Sequence, residues 1–477
     1  MSVIFELSKT NRRCAVFPDR GVHQYKLSDK HVRENLELPE VAEVDLVRHY
    51  MGLSRKAFGV DNGFYPLGSC TMKYNPKVNE EVAALEGFNE IHPLQPASTV
   101  KGALKALKQL QDALCDLTGM DAMTLKPAAG AHGEFTGMQI IRKYFVSNGM
   151  PERNEVIIPD SAHGTNPASA AMNGLKVVAV KSNENGGVDL ESLQAAVGEH
   201  TAALMLTNPN TLGLFDENIQ EITRIVHEAG GLCYYDGANM NAVMGLVRPG
   251  DIGFDVIHLN LHKTFATPHG GGGPGSGPVG CKSFLAKHLP EPVIGENGFE
   301  NSEDSIGSVR SFYCNFLVCM KALTYIKVMG ADGLKLASEN AVLNANYLLH
   351  KIKDIYDVSY DRVCMHEFVL SLQRLKDETG VSAKDVAKAL LDFEIHPPTM
   401  YFPLIVHEAL MFEPTETESR ETLDRCAEVL RHLHGLAYSD PEYFKGVPHS
   451  TVVSQCDEVR AARNPVLRYE KDTEASA

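Results

Sequence analysis

Five short apolar runs, Glu155 to Pro159, Lys176 to Val180, Ala202 to Leu206, Leu232 to Tyr235 and Asp255 to Leu259, are separated by stretches of helical pattern such as Glu217 to Ala229. Strands that are apolar throughout are buried on both faces, and intervening helices return the chain for the next parallel strand. The region from about Val100 to Leu289 therefore reads as α/β, a mostly parallel sheet covered on both sides. A polar or glycine-containing cluster follows each run. Ligands of such sheets bind outside the carboxyl ends of the strands, so these clusters are expected to converge on one crevice.

Two of the clusters are specific as a pair. The run Tyr234-Tyr235 ends in Asp236-Gly237-Ala238-Asn239, and the next, Phe254 to Asn260, ends in Leu261-His262-Lys263-Thr264. An aspartate closing one strand and a lysine closing the next suit a pyridoxal phosphate site of the aspartate-aminotransferase fold. The lysine amine forms a Schiff base with the aldehyde, and the carboxylate keeps the pyridine nitrogen protonated so that the ring accepts electrons.

Three further segments belong to the same crevice. Ala128-Ala129-Gly130-Ala131-His132-Gly133-Glu134 precedes a helical pattern starting at Phe135, and small residues there let backbone N–H groups approach a phosphate. Read alone, the segment suits a plain Gly/Ala turn equally well; its place at the head of the sheet region favours the phosphate. In Pro159-Asp160-Ser161-Ala162-His163-Gly164-Thr165-Asn166, His163 is placed over the cofactor ring, where an imidazole can hold the ring and assist proton movement. A lone histidine at a strand end is more often structural, and only the surrounding site raises His163 above that. Asn208, in Thr207-Asn208-Pro209-Asn210-Thr211, either hydrogen-bonds the cofactor's ring hydroxyl oxygen or only shapes an Asn-Pro turn. Ala129, Gly130, Ala131, Ala238 and His262 complete the expected cofactor contacts.

The run His269-Gly270-Gly271-Gly272-Gly273-Pro274-Gly275-Ser276-Gly277 satisfies a dinucleotide pattern literally, but Pro274 interrupts it and no helix opens there. A flexible loop beside the lysine, bordering a channel for a large substrate, is the better reading. The 19 histidines form no His-x-x-x-His with a third ligand in reach, so no metal is expected. Ten cysteines are scattered singly, and Cys314 and Cys319 have neither zinc-finger spacing nor an expected partner. Free thiols in a reducing compartment, the cytoplasm, follow from that usage. A net charge of −16 argues against nonspecific binding to nucleic acid or anionic membrane, and no apolar stretch approaches the length of a span.

The chain divides into an N-terminal arm with one helix (1–74), a large cofactor-binding α/β domain (75–330), and a smaller α+β C-terminal domain (331–477) that ends in a polar tail, Lys471 to Ala477.

Long motifs add a resemblance. Asp61 through Pro76 (with Gly68-Ser69-Cys70-Thr71-Met72-Lys73), His92-Pro93-Leu94-Gln95-Pro96, Pro127 through Ala131, His262-Lys263-Thr264-Phe265 and Glu413-Pro414-Thr415-Glu416-Thr417-Glu418-Ser419 closely resemble the glycine decarboxylase, or P-protein, family of the glycine cleavage system. The resemblance implies a fold type I pyridoxal-phosphate enzyme that decarboxylates glycine and passes the aminomethyl group to the lipoyl arm of a carrier, the H-protein. Lys263 would bear the cofactor, with Asp236 and His163 as the other catalytic residues. The family's single-chain form is about twice this length, and this chain is similar to the lysine-bearing subunit 2 of the two-subunit form. A homologous subunit 1 without the lysine, in an α2β2 assembly, is then implied. Cys314 stands where the family usually shows glycine, and a positive φ there would strain it. Another pyridoxal-phosphate decarboxylase or a cysteine lyase is the rival enzyme reading. A cofactor-free scaffold, the rival of another class, has no need of Lys263 and Asp236. Arg310 and His92 are possible partners of a substrate carboxylate.

Overall fold

The computed structural model describes residues 2–14, 21, 25–33, 36–270, 274–295 and 298–470. The chain forms two compact units, Met1–Asn62 with Ser450–Ala477, and Gly63–His449. The first contains the helix Glu43–Ser54, to which Arg12 is tied by a 2.6 Å ion pair with Asp45. These boundaries differ from the expected ones at both ends. Residues 63–74 belong to the larger unit because Ser69 and Thr71 are hydrogen-bonded to Glu367 and Glu413. Residues 450–470 group with the N-terminal segment, where Phe5 stacks on Tyr469 at 4.8 Å. The tail Lys471 to Ala477 lies outside the described residues.

The larger unit is built on a seven-stranded sheet: β1 (Ala122–Thr124), β2 (Glu155–Pro159), β3 (Lys176–Val180), β4 (Thr201–Thr207), β5 (Leu232–Gly237), β6 (Val256–Leu259) and β7 (Val279–Cys281). Their order is β1-β7-β6-β5-β4-β2-β3. Strands β3, β2, β4, β5 and β6 are parallel, and β7 runs against β6 and β1. All five apolar runs became strands. The unexpected pair, β1 and β7, has three residues in each strand, too short to carry a periodic signal.

Alternation along the strands divides the core in two. Ile157, Leu204, Leu206, Cys233, Tyr235, Ile257 and Leu259 pack on one face with Leu107, Leu110 and Leu114 of the helix Lys101–Thr118. Val156, Ile158, Ala203, Met205, Tyr234 and Val256 pack on the other with Met138, Ile141 and Phe145 of the helix Gly130–Ser147. This two-sided burial is what the continuous apolar runs require.

The chain then enters the 37-residue helix Phe316–Ile352, which leaves helical geometry at Gly330 (φ 62°, ψ −178°). The expected divide near residue 331 falls inside it. Residues up to Ala337 pack on the large sheet's core, whereas Ala345, Leu348, Leu349 and Ile352 enter a second core. That second core backs an antiparallel sheet of Asp357–Val358, Phe368–Ser371, Ala409–Phe412 and Thr399–Met400, with the helix Arg420–Ser439. Cys314 is not among the residues with positive φ, so the strain considered for it does not arise. The neighbouring Cys319 thiol, together with burial, pushes the Cys314 thiol well above its ordinary range.

Candidate active site

The period of two decides which strand-end residues meet. Tyr234 faces the helix Gly130–Ser147, so Asp236 two residues on shares that side, as does His258 two residues beyond Val256. The helix can lie close because glycine recurs on the face it presents. A Cβ on Gly130 would stand 2.8 Å from Asn260 Nδ2, one on Gly133 3.0 Å from His258 Cβ, and one on Gly137 2.3 Å from Tyr234 Cε2. The helix begins at Gly130, earlier than the pattern from Phe135 suggested, and no side chain caps its first N–H groups.

At the carboxyl ends of the strands lies a cavity of about 210 Å³ lined by Ser69, Gly130, Ala131, Glu134, His163, Thr165, Thr207, Thr211, Asp236, Ala238, Asn239, Asn260 and Lys263. Six of the expected residues meet there: Gly130, Ala131, His163, Asp236, Ala238 and Lys263. Ala129, Asn208 and His262 do not line it. Ala129 is the residue before the helix. Asn208 is buried behind Thr207; its Oδ1 accepts the Asp216 N–H at 2.9 Å, and its peptide to Pro209 is cis. The Nδ1 of His262 accepts the Ser276 N–H at 3.4 Å, in contact with the His269 ring. Arg310 and His92 line a different hollow, with Phe88 and Phe312. Of the glycine loop, Gly271 to Gly273 lie outside the described residues.

The two carboxyl groups of the cavity are driven apart. Burial would raise the pKa of Asp236, but His258 at 3.5 Å, the Asn166 amide at 3.0 Å, the Ala238 N–H at 3.1 Å and Lys263 together hold it below the ordinary value. His258 is oriented by the Tyr234 hydroxyl, 2.6 Å from its Nδ1. Glu134 is pushed up to about 8 by burial and by the charge of Asp236, against the opposing effect of Thr165, Ser169 and Lys263. Burial lowers His163 as well, Asp236 opposing and Lys263 adding to the effect. His262 and His269 are lowered to about 3 and about 4, burial being the largest cause for both.

Sequence reading missed the groups supplied from far along the chain. Ser69 N–H donates to Glu367 Oε2 at 2.6 Å. The N–H and hydroxyl of Thr71 donate to Glu413 at 2.9 and 2.6 Å, and Asn239 Nδ2 donates to both Glu413 oxygens at 3.1 Å. This clasp holds one wall of the cavity. Glu134 and Thr165 could have been found, since each lies inside a segment already singled out. Metal-capable groups also come together where no histidine spacing announced them: His227–Cys233–Asp255, Glu134–Asp236–His258 and His366–Glu367–Glu413. Hydrogen bonds already engage Asp255, Asp236 and Glu413 in these groups.

The residues present fit pyridoxal phosphate. Buried polar atoms without a protein partner, Thr207 Oγ1 and Asn260 Oδ1, belong to cavity-lining residues. An uncapped N-terminus of an 18-residue helix faces the same space and suits a phosphate. The amine of Lys263 and an ionised Asp236 supply the other two requirements.

The family model described as "Glycine cleavage system P-protein" matches residues 54–307, and "Glycine dehydrogenase, C-terminal domain" matches residues 337–437. The chain is 61% identical over 454 residues to a probable glycine dehydrogenase (decarboxylating) subunit 2 from Treponema denticola, covering 94% of both chains. It is 58% identical to the protein of the same description from Caldanaerobacter subterraneus, covering 98% of this chain and 99% of the relative. Among solved structures, an inhibitor-bound glycine decarboxylase (P-protein) of the glycine cleavage system superposes with a TM-score of 0.72 at 20% identity, covering 85% of this chain and 93% of that one. A NifS-like protein superposes at 0.63 with 14% identity, covering 78% and 100%. These two likenesses speak for the fold alone.

Proposed function

The chain belongs to the glycine cleavage system P-protein family, and from that premise we propose that it is the decarboxylating subunit, which removes CO2 from glycine and passes the aminomethyl group to a lipoyl-bearing carrier, the H-protein. The observation that carries the reading is the convergence of Lys263, Asp236 and the helix N-terminus at Gly130 on one cavity. Bound pyridoxal phosphate would supply an electron sink for the pair left behind when the carboxylate departs.

The chain's own residues would divide the work. Lys263 holds the cofactor covalently through Nζ, and the N–H groups at Gly130 and Ala131 take its phosphate. Asp236, kept ionised by its hydrogen bonds and by His258, retains a proton on the ring nitrogen. His163 covers the ring and carries protons at Nε2. Asn208 acts through the strand end it shapes, and Ala129, Ala238 and His262 hold the backbone around the site. A homologous subunit 1 completes an assembly proposed as α2β2. No helix among the described residues is long and apolar enough to cross a membrane, and ten free thiols support the proposal of a cytoplasmic location.

Exchange of labelled bicarbonate into the glycine carboxyl group tests the reading. The chain is assayed with subunit 1 and lipoylated carrier, with Lys263→Ala as control. Exchange that disappears in Lys263→Ala is expected. A borohydride-reducible chromophore on Lys263 without exchange would move the assignment to another pyridoxal-phosphate enzyme.

A further inference from the structure

Glu134 is a buried acid at the cavity to which the reaction outlined above gives no task. We propose that Glu134 is a positioning residue that holds a proton and governs His163 through the Thr165 hydroxyl, feeding the proton that His163 delivers to the cavity. The proposal rests on the functional reading above, in which glycine and the carrier's disulfide react beside His163.

The proton positions follow from geometry. The Thr165 backbone N–H points at His163 Nδ1 from 3.2 Å, and a backbone N–H only donates, so Nδ1 is an acceptor and the ring proton is on Nε2. The Thr165 hydroxyl oxygen stands 2.8 Å from the same Nδ1. Two lone pairs repel at that distance, so the hydroxyl proton lies between them. Toward an ionised Glu134 the Thr165 hydroxyl would be the donor of the 2.8 Å contact to Oε1; with its one proton committed to Nδ1, the proton of that contact is instead the carboxyl's own. Ser169 Oγ donates to Glu134 Oε2 at 3.2 Å, and every contact has one proton. An ionised Glu134 would draw the hydroxyl proton to itself and leave Thr165 and His163 lone pair to lone pair. The nearby charges agree: Asp236 is ionised, and burial beside it keeps Glu134 protonated to about pH 8. Lys263 also faces His163, and the Phe402 ring meets it edge-on at 5.4 Å. Two carboxyl groups with pKa values driven apart mark an acid and a fixed charge.

The relay balances in the transfer step. The electron pair of glycine's broken C–C bond reduces the disulfide: one sulfur bonds the aminomethyl carbon and the other leaves as thiolate. His163 gives that thiolate its Nε2 proton. The Thr165 hydroxyl proton moves to Nδ1, and the Glu134 proton moves to the Thr165 oxygen. Imidazole is then neutral in its other tautomer and Glu134 a carboxylate; a solvent proton taken up at Nε2 sends the Nδ1 proton back to the Thr165 oxygen and the Thr165 proton back to Glu134, which restores the starting state.

Ring-15N histidine spectra of the cofactor-bound chain test the relay, with His163→Gln used to assign the signal. In the wild type an unprotonated Nδ1 is expected, changing as pH rises through about 8. Thr165→Val should abolish that linked change, and Thr165→Ser should retain it. Glu134→Gln, whose amide still donates to Thr165, should fix the Nδ1-acceptor form at every pH. It should also lower kcat for carrier reduction about a hundredfold, the low end for a positioned acid, with KM for glycine unchanged. A His163 signal indifferent to Thr165→Val, or Glu134→Gln turnover equal to wild type, overturns the relay. Absence of glycine-dependent exchange in the wild-type complex would remove the functional reading instead, and the spectra would still decide the relay.

Discussion

Lys73→Met removes the one cation of a pair that ties the segment before the large sheet to the C-terminal part of the chain. Lys73 is 2% exposed, and its ammonium lies 2.7 Å from Glu416 Oε1, 3.2 Å from Asn241 Oδ1 and 3.3 Å from the Tyr325 hydroxyl. The Glu416 side chain is 10% exposed, so water replaces little of what the lysine provides. Breaking a buried pair from one side costs about 3–5 kcal/mol, and the low end applies because Asn241 Nδ2 still donates to Glu416 at 3.2 Å. That is a large share of a domain's total stability of about 5–15 kcal/mol. Glu416→Gln should cost a similar amount by stranding the ammonium. The double variant leaves no buried charge and should lose only hydrogen bonds, about 1–1.5 kcal/mol. The diagnostic is therefore an inversion, with the double variant more stable than either single one in urea unfolding followed by circular dichroism. Burial alone would lower the Lys73 pKa, but Glu416 and Tyr325 raise it overall. A raised lysine contributes stability that is complete below the unfolded value of about 10.4 and is lost as pH climbs through the folded one, so the wild-type advantage should fade only in strong alkali. Single variants that each cost less than about 1 kcal/mol, or a double variant worse than both, would refute the argument.

Two further predictions concern buried carboxyl groups. Burial, with the charge of Glu413 beside it, holds Glu367 well above the ordinary carboxylate range, so a neutral amide of the same shape suits its surroundings. Glu367→Gln should cost at most about 1 kcal/mol, whereas Glu413→Gln, which gives up acceptor capacity toward Thr71 and Asn239, should cost about 2–3 kcal/mol; equal costs in denaturant unfolding would contradict this. Burial raises Glu418 to about 7. The folded state then binds that proton more tightly, so this group's contribution falls as pH rises from its unfolded value to about 7, by at most about 3.5 kcal/mol. Glu418→Gln should therefore be more stable than wild type at pH 8 and indistinguishable from it at pH 4; the reverse order in thermal scans would contradict the assignment.

Much of this architecture was legible because strands buried on both faces leave continuous apolar runs. Asp236 and Lys263 could be read as a pair because each closes such a run. The three-residue strands at Ala122 and Val279 left no pattern. Glu134 and Thr165 stood inside segments read for other residues; what singles them out is the distance between them, which exists only once the helices Gly130–Ser147 and Thr165–Met172 lie side by side. The placement of Asn208 behind the cavity rests on its bond to the Asp216 N–H, and neither that nor the long-range hydrogen bonds of Glu367 and Glu413 have a local signature. Three-dimensional proximity, not residue type, was the missing information in each case.

The bond between Thr71 and Glu413 joins residues 342 positions apart. On a ribosome adding about 5–20 residues per second, the glutamate is made some 20–70 s after the threonine it must hold. Asp236 and Lys263 leave the exit tunnel well before it. From the emergence of Lys263 until that of Glu413 the nascent chain thus carries an exposed lysine and an open crevice, because the wall at residues 69–71 can close only once Glu413 is out.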